Sequence, residues 1–294
     1  MFEILEDFVV QSLASVVVAL KGLFWPAVFF FLLGLAVKRL RLFADMARAV
    51  REAGLNLQLM AFNLVFVVPL IAIAGQALSD LSRAHGLVLV PGSVWEGLHP
   101  ALVVFAAVFI GDFTAYWRHR LEHSRLLWPA HAVHHSDTQM TWTAIERFHP
   151  INRCTTFFID ASVLLVMGLP PFAVVANHLV RHYYGAFIHA DLPWTYGPLG
   201  RIFVSPAMHR WHHSADERAF DKNFATVFSV FDQAFGTHYV PGPHEGRLGV
   251  HDPIVPTLTS QLTYALSPRA YRKAPSEFNR EGADRTAASR LPAE

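Results

Sequence analysis

The chain has 294 residues, of which 53% are hydrophobic and 16% are charged, against about 25% charged in an ordinary soluble domain. That balance excludes a disordered chain and points away from a soluble enzyme. With 24 basic and 23 acidic residues, net +1, there is no basic excess of the kind that binds nucleic acid.

In chain order, the start (Met1-Phe2-Glu3-Ile4-Leu5-Glu6-Asp7) is acidic, unlike the positive start of a secretory signal. A first apolar region, 8–37, is interrupted by Lys21 and Pro26. It reads as one long kinked helix or as an interfacial helix followed by a span. Further apolar runs cover 55–78 and 100–117, near the roughly 20 residues that a hydrocarbon core requires. A fourth region, 155–188, is divided by Pro170-Pro171 and predicts two short helices in a hairpin. Lys38, Arg39, Arg41, Arg48 and Arg51 separate the first two runs, whereas the next connection holds only Arg83. This bias predicts a cytoplasmic first loop, and the histidine clusters described next then fall on the same side. The expected fold is all-α: a polytopic membrane helix bundle of about four spans, or two spans plus a hairpin, with a cytoplasmic helical cap carrying a histidine-rich di-metal site.

Histidine, with 17 copies, is in excess. Three clusters stand out: His119 with His123; His131 with His134 and His135; and His209 with His212 and His213. Spacings of three and four place rings on one helix face. A triplet of this kind can hold one ion and reach toward a second. Solvated interfacial histidines are the plain alternative, but an apolar chain has little reason to gather eight imidazoles at one depth. Imidazole alone admits zinc, copper, iron or nickel. The single cysteine, Cys154, supports neither a disulfide nor a Cys-rich metal site, and reads as a buried packing residue.

The motifs Asp112-Phe-Thr-Ala-Tyr116-Trp117-Arg118-His119-Arg120-Leu-Glu-His123, His131-Ala-Val-His134-His135-Ser136, Arg147-Phe148-His149-Pro150, Phe187-Ile-His189-Ala-Asp191, Ser205-Pro206-Ala-Met-His209-Arg-Trp-His212-His213, Asn223-Phe224 and Asp232-Gln-Ala-Phe235-Gly236-Thr237 follow in order. In these the sequence resembles the fatty acid hydroxylase/sterol desaturase superfamily of membrane oxygenases. Phe231 stands where that family commonly has Trp, and Ala225 where it commonly has Gly. The resemblance implies two non-haem iron ions, molecular oxygen as co-substrate and a membrane lipid as substrate. By position it implies nine ligands: His119, His123, His131, His134, His135, His189, His209, His212 and His213. The chain divides into N-terminal membrane helices (1–99), a catalytic domain (100–245) and a C-terminal tail (246–294), which from about Ser267 is rich in Arg, Ala, Pro, Ser and Glu without apolar periodicity and reads as mobile.

Supporting roles are expected for four polar residues. Asp112, seven residues before His119, is placed to accept the second ring N–H of a ligand histidine. Asp191 is placed to orient His189, and Asn223 and Asp232 to support the site by resemblance. His149, His178 and His182 are further ligand candidates, weaker than the alternatives of helix capping and bundle hydrogen bonding. His85, His99, His238, His244 and His251 are isolated and carry no assigned role. The resulting reading is an oxygen-dependent lipid hydroxylase served by an external ferredoxin- or cytochrome b5-like donor. A lipid or sterol desaturase, or a histidine-rich metal transporter, are the alternatives.

Overall fold

The structure is a computed structural model that describes residues 2–271. Of the stretch expected to be mobile, residues 267–271 are packed instead, with Ala270 buried in a core cluster, and residues 272–294 lie outside the described residues.

The first apolar region is a single helix, α1 (Phe2–Lys38), which runs through Pro26. A short turn with Arg39 at φ 53° reverses the chain into α2 (Arg41–Phe62). A π-helical segment (Asn63–Val67) joins α2 to α3 (Val68–His85). The expected second span at 55–78 therefore belongs to a longer rod, Arg41–His85, of 45 residues. The basic stretch 41–51 is helix rather than loop because its apolar positions keep helical register. Leu42, Ala49, Asn56 and Leu59 are buried along one stripe, while Arg41, Arg48 and Arg51 are exposed and Glu52 turns in to pair with Arg147. The π segment has a local cause. Pro69 has no N–H to offer the Val65 carbonyl four residues earlier. The Ser12 hydroxyl of α1 lies 3.0 Å from that carbonyl, sharing its proton between it and Phe8 O at 2.7 Å.

A single turn, α4 (Ser93–Glu96), precedes α5 (Pro100–Glu122). Among the described residues, three stretches are long and apolar enough to cross a membrane: Phe8–Lys38, Arg41–His85 and Pro100–Glu122. After α6 (Trp128–His135) comes the expected hairpin, α7 (Pro150–Val166) and α8 (Pro171–His189), broken at the paired prolines. Its tip meets the α3–α5 connection, where Leu89 N donates to Val166 O at 2.8 Å and Trp95 Nε1 to Met167 O at 2.9 Å. The α1–α2 turn lies at the opposite end, with Lys38 paired to Asp191 just beyond α8.

Helix α5 is the central rod and packs against α7 and α8. Gly111 permits the closest approach, since a Cβ there would collide with the Asn177 side chain on α8. The outward stripe of α5, Leu102, Phe105, Phe109 and Phe113, is exposed and suits lipid. Its inner face is polar: Asp112, Arg118, His119 and Glu122 are buried. The charges are paired, as charges away from water must be. Arg118 bridges Glu122 at 2.7 Å and Asp160 at 2.9 Å, and Arg181 reaches Asp160 at 2.9 Å.

The cap is built from α6, α9 (Pro206–His212), α10 (Val230–Ala234) and α11 (Leu258–Thr263). Residues 246–271 pack into this cap. Leu258 and Leu262 contact the cluster of Leu55, Leu59 and Val133, while Tyr264 and Ala270 pack with Trp128 and Ala132. Among the described residues there is no β-strand, only an isolated bridge between Ser214 and Leu248. Cys154 is half-buried on α7, less enclosed than expected, because it lies among partly exposed neighbours.

Candidate metal centre

Four helix ends bring the nine histidines together. The last turn of α5 carries His119 and ends at His123. Helix α6 contributes His131, His134 and His135, and His189 is the last residue of α8. Helix α9 contributes His209 and His212 and ends at His213. Its start is fixed by sequence: the Ser205 side chain accepts from Met208 N, and Pro206 occupies the first turn, where its missing N–H costs nothing.

The rings form two groups. His119, His123, His131, His135 and His212 make one, and His134, His189, His209 and His213 the other; within each group the nearest ligand atoms all lie within 4.8 Å of one another. Helices α6 and α9 serve both groups reciprocally. The i, i+4 pair His131/His135 enters the first group while His134 enters the second. The pair His209/His213 enters the second while His212 enters the first. Consecutive residues point about 100° apart on a helix, so each triplet splits between two adjacent centres. The groups adjoin, with the His135 and His213 rings stacked at 4.3 Å.

Hydrogen bonds fix several ring tautomers. His119 Nδ1 lies 2.7 Å from Phe224 O, His212 Nδ1 2.7 Å from Lys222 O, and His189 Nδ1 2.7 Å from Gly185 O. A carbonyl only accepts, so each Nδ1 carries the proton and each Nε2 of a neutral ring presents a lone pair. Those lone pairs face one another: His119 and His212 approach at 2.9 Å between Nε2 atoms, His119 and His131 at 3.0 Å. In the second group the Nε2 atom of His189 is 3.0 Å from that of His209 and 3.2 Å from that of His134. Facing acceptors repel unless a cation lies between them. Two imidazoles bound at right angles with metal–nitrogen bonds of about 2.1 Å would hold their nitrogens about 3.0 Å apart. His213 adds a further sign, since neither of its buried ring nitrogens has a hydrogen-bond partner. The donor set therefore fits two transition-metal ions.

Burial, reinforced by neighbouring imidazoles, holds His131, His134, His135, His209, His212 and His213 well below the usual histidine value. The rings are thus neutral at pH 7, the form a metal requires.

The loop 221–224 lies over the first group and supplies acceptors to three rings: Asp221 Oδ1 to His123 at 3.3 Å, with Lys222 O and Phe224 O as above. Asn223 holds this loop at φ 63°, donating from Nδ2 to Met208 O and Tyr239 O and accepting from Tyr239 N. Asp232 accepts from Phe224 N, Ala225 N and the Thr237 hydroxyl. Both residues thus hold the backbone of the loop beside the histidines.

Two expected roles are corrected. Asp112 does not take a histidine N–H; it accepts from Thr226, Val227 and Phe228 N, because that loop crosses α5 at its position. Asp191 does not orient His189; it pairs with Lys38 and with Arg210 at 3.1 Å, while Gly185 O holds His189. His149 lies outside both groups as the N-cap of α7, accepting from Ile151 N at 3.2 Å, with Nε2 on Leu262 O at 3.0 Å. His178 and His182 also lie outside, their rings stacked on each other 6.0 Å apart. Phe231, at the departure from the family pattern, packs with Phe109, Phe113 and Tyr116. Buried Ala225 donates its backbone N–H to Asp232.

The sequence reading missed three residues. Asn152 Oδ1 accepts from His131 Nδ1 at 2.9 Å. Asp221 has no motif that marks it. Arg147 belongs to a motif that gives it no role of its own. It is fully buried and donates to Val133 O at the end of α6, to Ser136 and to Glu52 at 2.5 Å. A cation next to the last carbonyls of a helix is favourable.

Residues 104–237 match the family model described as fatty acid hydroxylase. This segment belongs to the fatty acid hydroxylase/sterol desaturase superfamily. With its three apolar stretches, the chain is a membrane protein. The ornithine lipid hydroxylase of Rhizobium tropici is 30% identical over 205 residues, covering 67% of this chain and 62% of its own. Human alkylglycerol monooxygenase is 33% identical over 134 residues, 45% of this chain and 29% of its own. A Delta(7)-sterol 5(6)-desaturase of Gibberella zeae is 30% identical over 131 residues, 44% and 36%. The chain thus spans less than two thirds of each of these relatives. No solved structure matches it.

Proposed function

We propose that this chain is an oxygen-dependent membrane lipid oxidoreductase. It hydroxylates a C–H bond of a fatty acyl, sterol or related lipid at two iron ions held by the nine histidines. The observation that carries the reading is the set of inward-facing Nε2 lone pairs at 2.9–3.2 Å, in two adjoining groups of five and four rings. Iron, rather than another imidazole-binding metal, is inferred from the hydroxylases and monooxygenases among the relatives. A bound iron pair supplies the redox chemistry in which a C–H bond, O2, two electrons and two protons give C–OH and water.

The chain's own part is to prepare and enclose the ligands. Carbonyls of Phe224, Lys222 and Gly185 hold the Nδ1 protons, which leaves the Nε2 atoms free to bind. Phe148 stacks on His134 at 5.0 Å, and Trp128 and Phe224 each lie about 5 Å from the His123 ring, so aromatic faces keep water out. No motif of the sequence suits a flavin or haem, and we assign the electrons to an external ferredoxin- or cytochrome b5-like donor. The basic α1–α2 turn sits at the same end of the bundle as His189, and the Lys/Arg bias supports a cytoplasmic position for that end. A transport pathway would string histidines along the spans, whereas these nine close into two groups at one end.

The test is lipid analysis of cells with and without the protein under isotopically labelled oxygen. The expected product is one lipid heavier by a single labelled oxygen atom. A product lighter by two hydrogens assigns the desaturase reaction, which the sterol desaturase relative keeps in view. An unchanged lipidome with metal uptake into vesicles overturns the reading in favour of transport.

A further inference from the structure

The α1–α2 turn and the stretch following α8 enclose a cleft of about 880 Å³ that the histidine groups do not use. Five cations line it: Lys38, Arg39, Arg41, Arg48 and Arg210. Two carboxylates oppose them, Asp45 and Asp191. Three positive charges are therefore in excess in one cleft, in a chain whose total is +1. The pairing is uneven. Lys38 bridges both carboxylates, Arg48 pairs with Asp45, and Arg210 pairs with Asp191. Among the described residues, Arg39 and Arg41 have no ion pair, and both are exposed. Arg39 also occupies the left-handed region at φ 53°, where arginine is uncommon. Val37, Leu40, Leu192 and Pro193 supply apolar wall beside the cations.

We propose that this cleft binds the anionic headgroup of a membrane lipid, a phosphate or carboxylate oxyanion, with the first methylenes of the lipid on the apolar wall. The turn joins two stretches long enough to cross a membrane, so it lies at headgroup depth, where clustered Lys and Arg attract anionic lipid. Guanidinium is suited to such oxyanions through paired N–H donors. The cleft also borders the histidine groups: Asp191 lies two residues after His189, and Arg210 is adjacent to His209. In this role, which rests on the lipid-oxidising reading, a headgroup held here sets which carbon reaches the centre. A concave site with an apolar wall suits a headgroup and its attached chain better than the flat face of an acidic protein.

The test uses full-length protein in a neutral detergent. Binding of dihexanoyl phosphatidic acid and of inorganic phosphate is measured by calorimetry, with iron content measured alongside. The short-chain lipid should bind saturably and more tightly than phosphate. The double variant Arg39→Gln/Arg41→Gln should weaken it by about tenfold or more, and Arg39→Lys/Arg41→Lys, which keeps the charge but not the paired donors, should restore part of the loss. Iron content should be the same in wild type and in both double variants. His212→Ala should keep lipid binding while losing metal, which separates failure of the cleft from failure of the centre. Unchanged affinity in the Gln variant overturns the proposal, as does phosphate binding as tightly as the lipid. Tight binding of an acidic redox protein with no lipid binding overturns it in favour of a docking face.

Discussion

At His119 and His212 the ring nitrogens facing each other at 2.9 Å both carry lone pairs, because each Nδ1 proton is held by a carbonyl. On the proposed reading, removing one ring would take a ligand from a bound ion. His212→Ala and His134→Ala are each expected to lose iron and activity together, checked by elemental analysis and product formation on the same preparation. Asp232→Asn keeps the shape but replaces one of two acceptor oxygens with a donor. Phe224 N or Ala225 N is then left without a partner, at a cost of about 1–3 kcal/mol. Denaturant unfolding should show that loss, together with weaker iron retention, since Phe224 O holds His119. The spacing of the histidines was legible because helical periodicity alone puts i, i+3 and i+4 on one face. The partners of Asp112 and Asp191 were not, because the 226–228 loop, Lys38 of α1 and Arg210 of α9 reach them only through the tertiary fold. Asn152 escaped notice for the same reason: it orients His131 from another helix.

Between residue and bundle, helix ends do the positioning. His149 caps α7 through an unprotonated Nδ1 and ties it to α11 through Leu262 O. Burial holds His149 below the usual histidine value. The unfolded chain takes up its proton near pH 6.5 (about the ordinary value), the folded chain only at lower pH. The stability from this cap is therefore complete above about pH 6.5 and is lost as pH falls through the lowered folded value. Hydrogen exchange should show the first turn of α7 and residues 258–263 opening together on acidification. His149→Ala should cost about 1 kcal/mol and remove that pH response, and His149→Asn should retain most of the cap. The hairpin break at Pro170-Pro171 was legible because paired prolines end a helix. The rod Arg41–His85 was not, because its charged first turns look like loop until the buried stripe of Leu42, Ala49, Asn56 and Leu59 is seen.

For the whole molecule, the bundle has two distinct ends. One carries the basic turn and the histidine groups, the other the hairpin tip and the α3–α5 connection. With Cys154 replaced by Ala, a cysteine at Ser93 should react with a membrane-impermeant thiol reagent on intact cells. One at Arg48 should react only after permeabilisation. The reverse pattern would place the histidine groups outside the cytoplasm. The all-α membrane class followed from composition and apolar runs, since no soluble core needs such stretches. The packing of residues 246–271 onto α2 and α6 did not, because their short apolar segments gain meaning only against Leu55, Leu59 and Trp128.

The most direct measurement is the metal content of the purified full-length protein, determined beside its lipid-oxidising activity. Two groups of imidazoles predict two iron ions per chain, both lost with activity in His134→Ala. Protein that holds no iron and still oxidises lipid at the full rate would contradict the account.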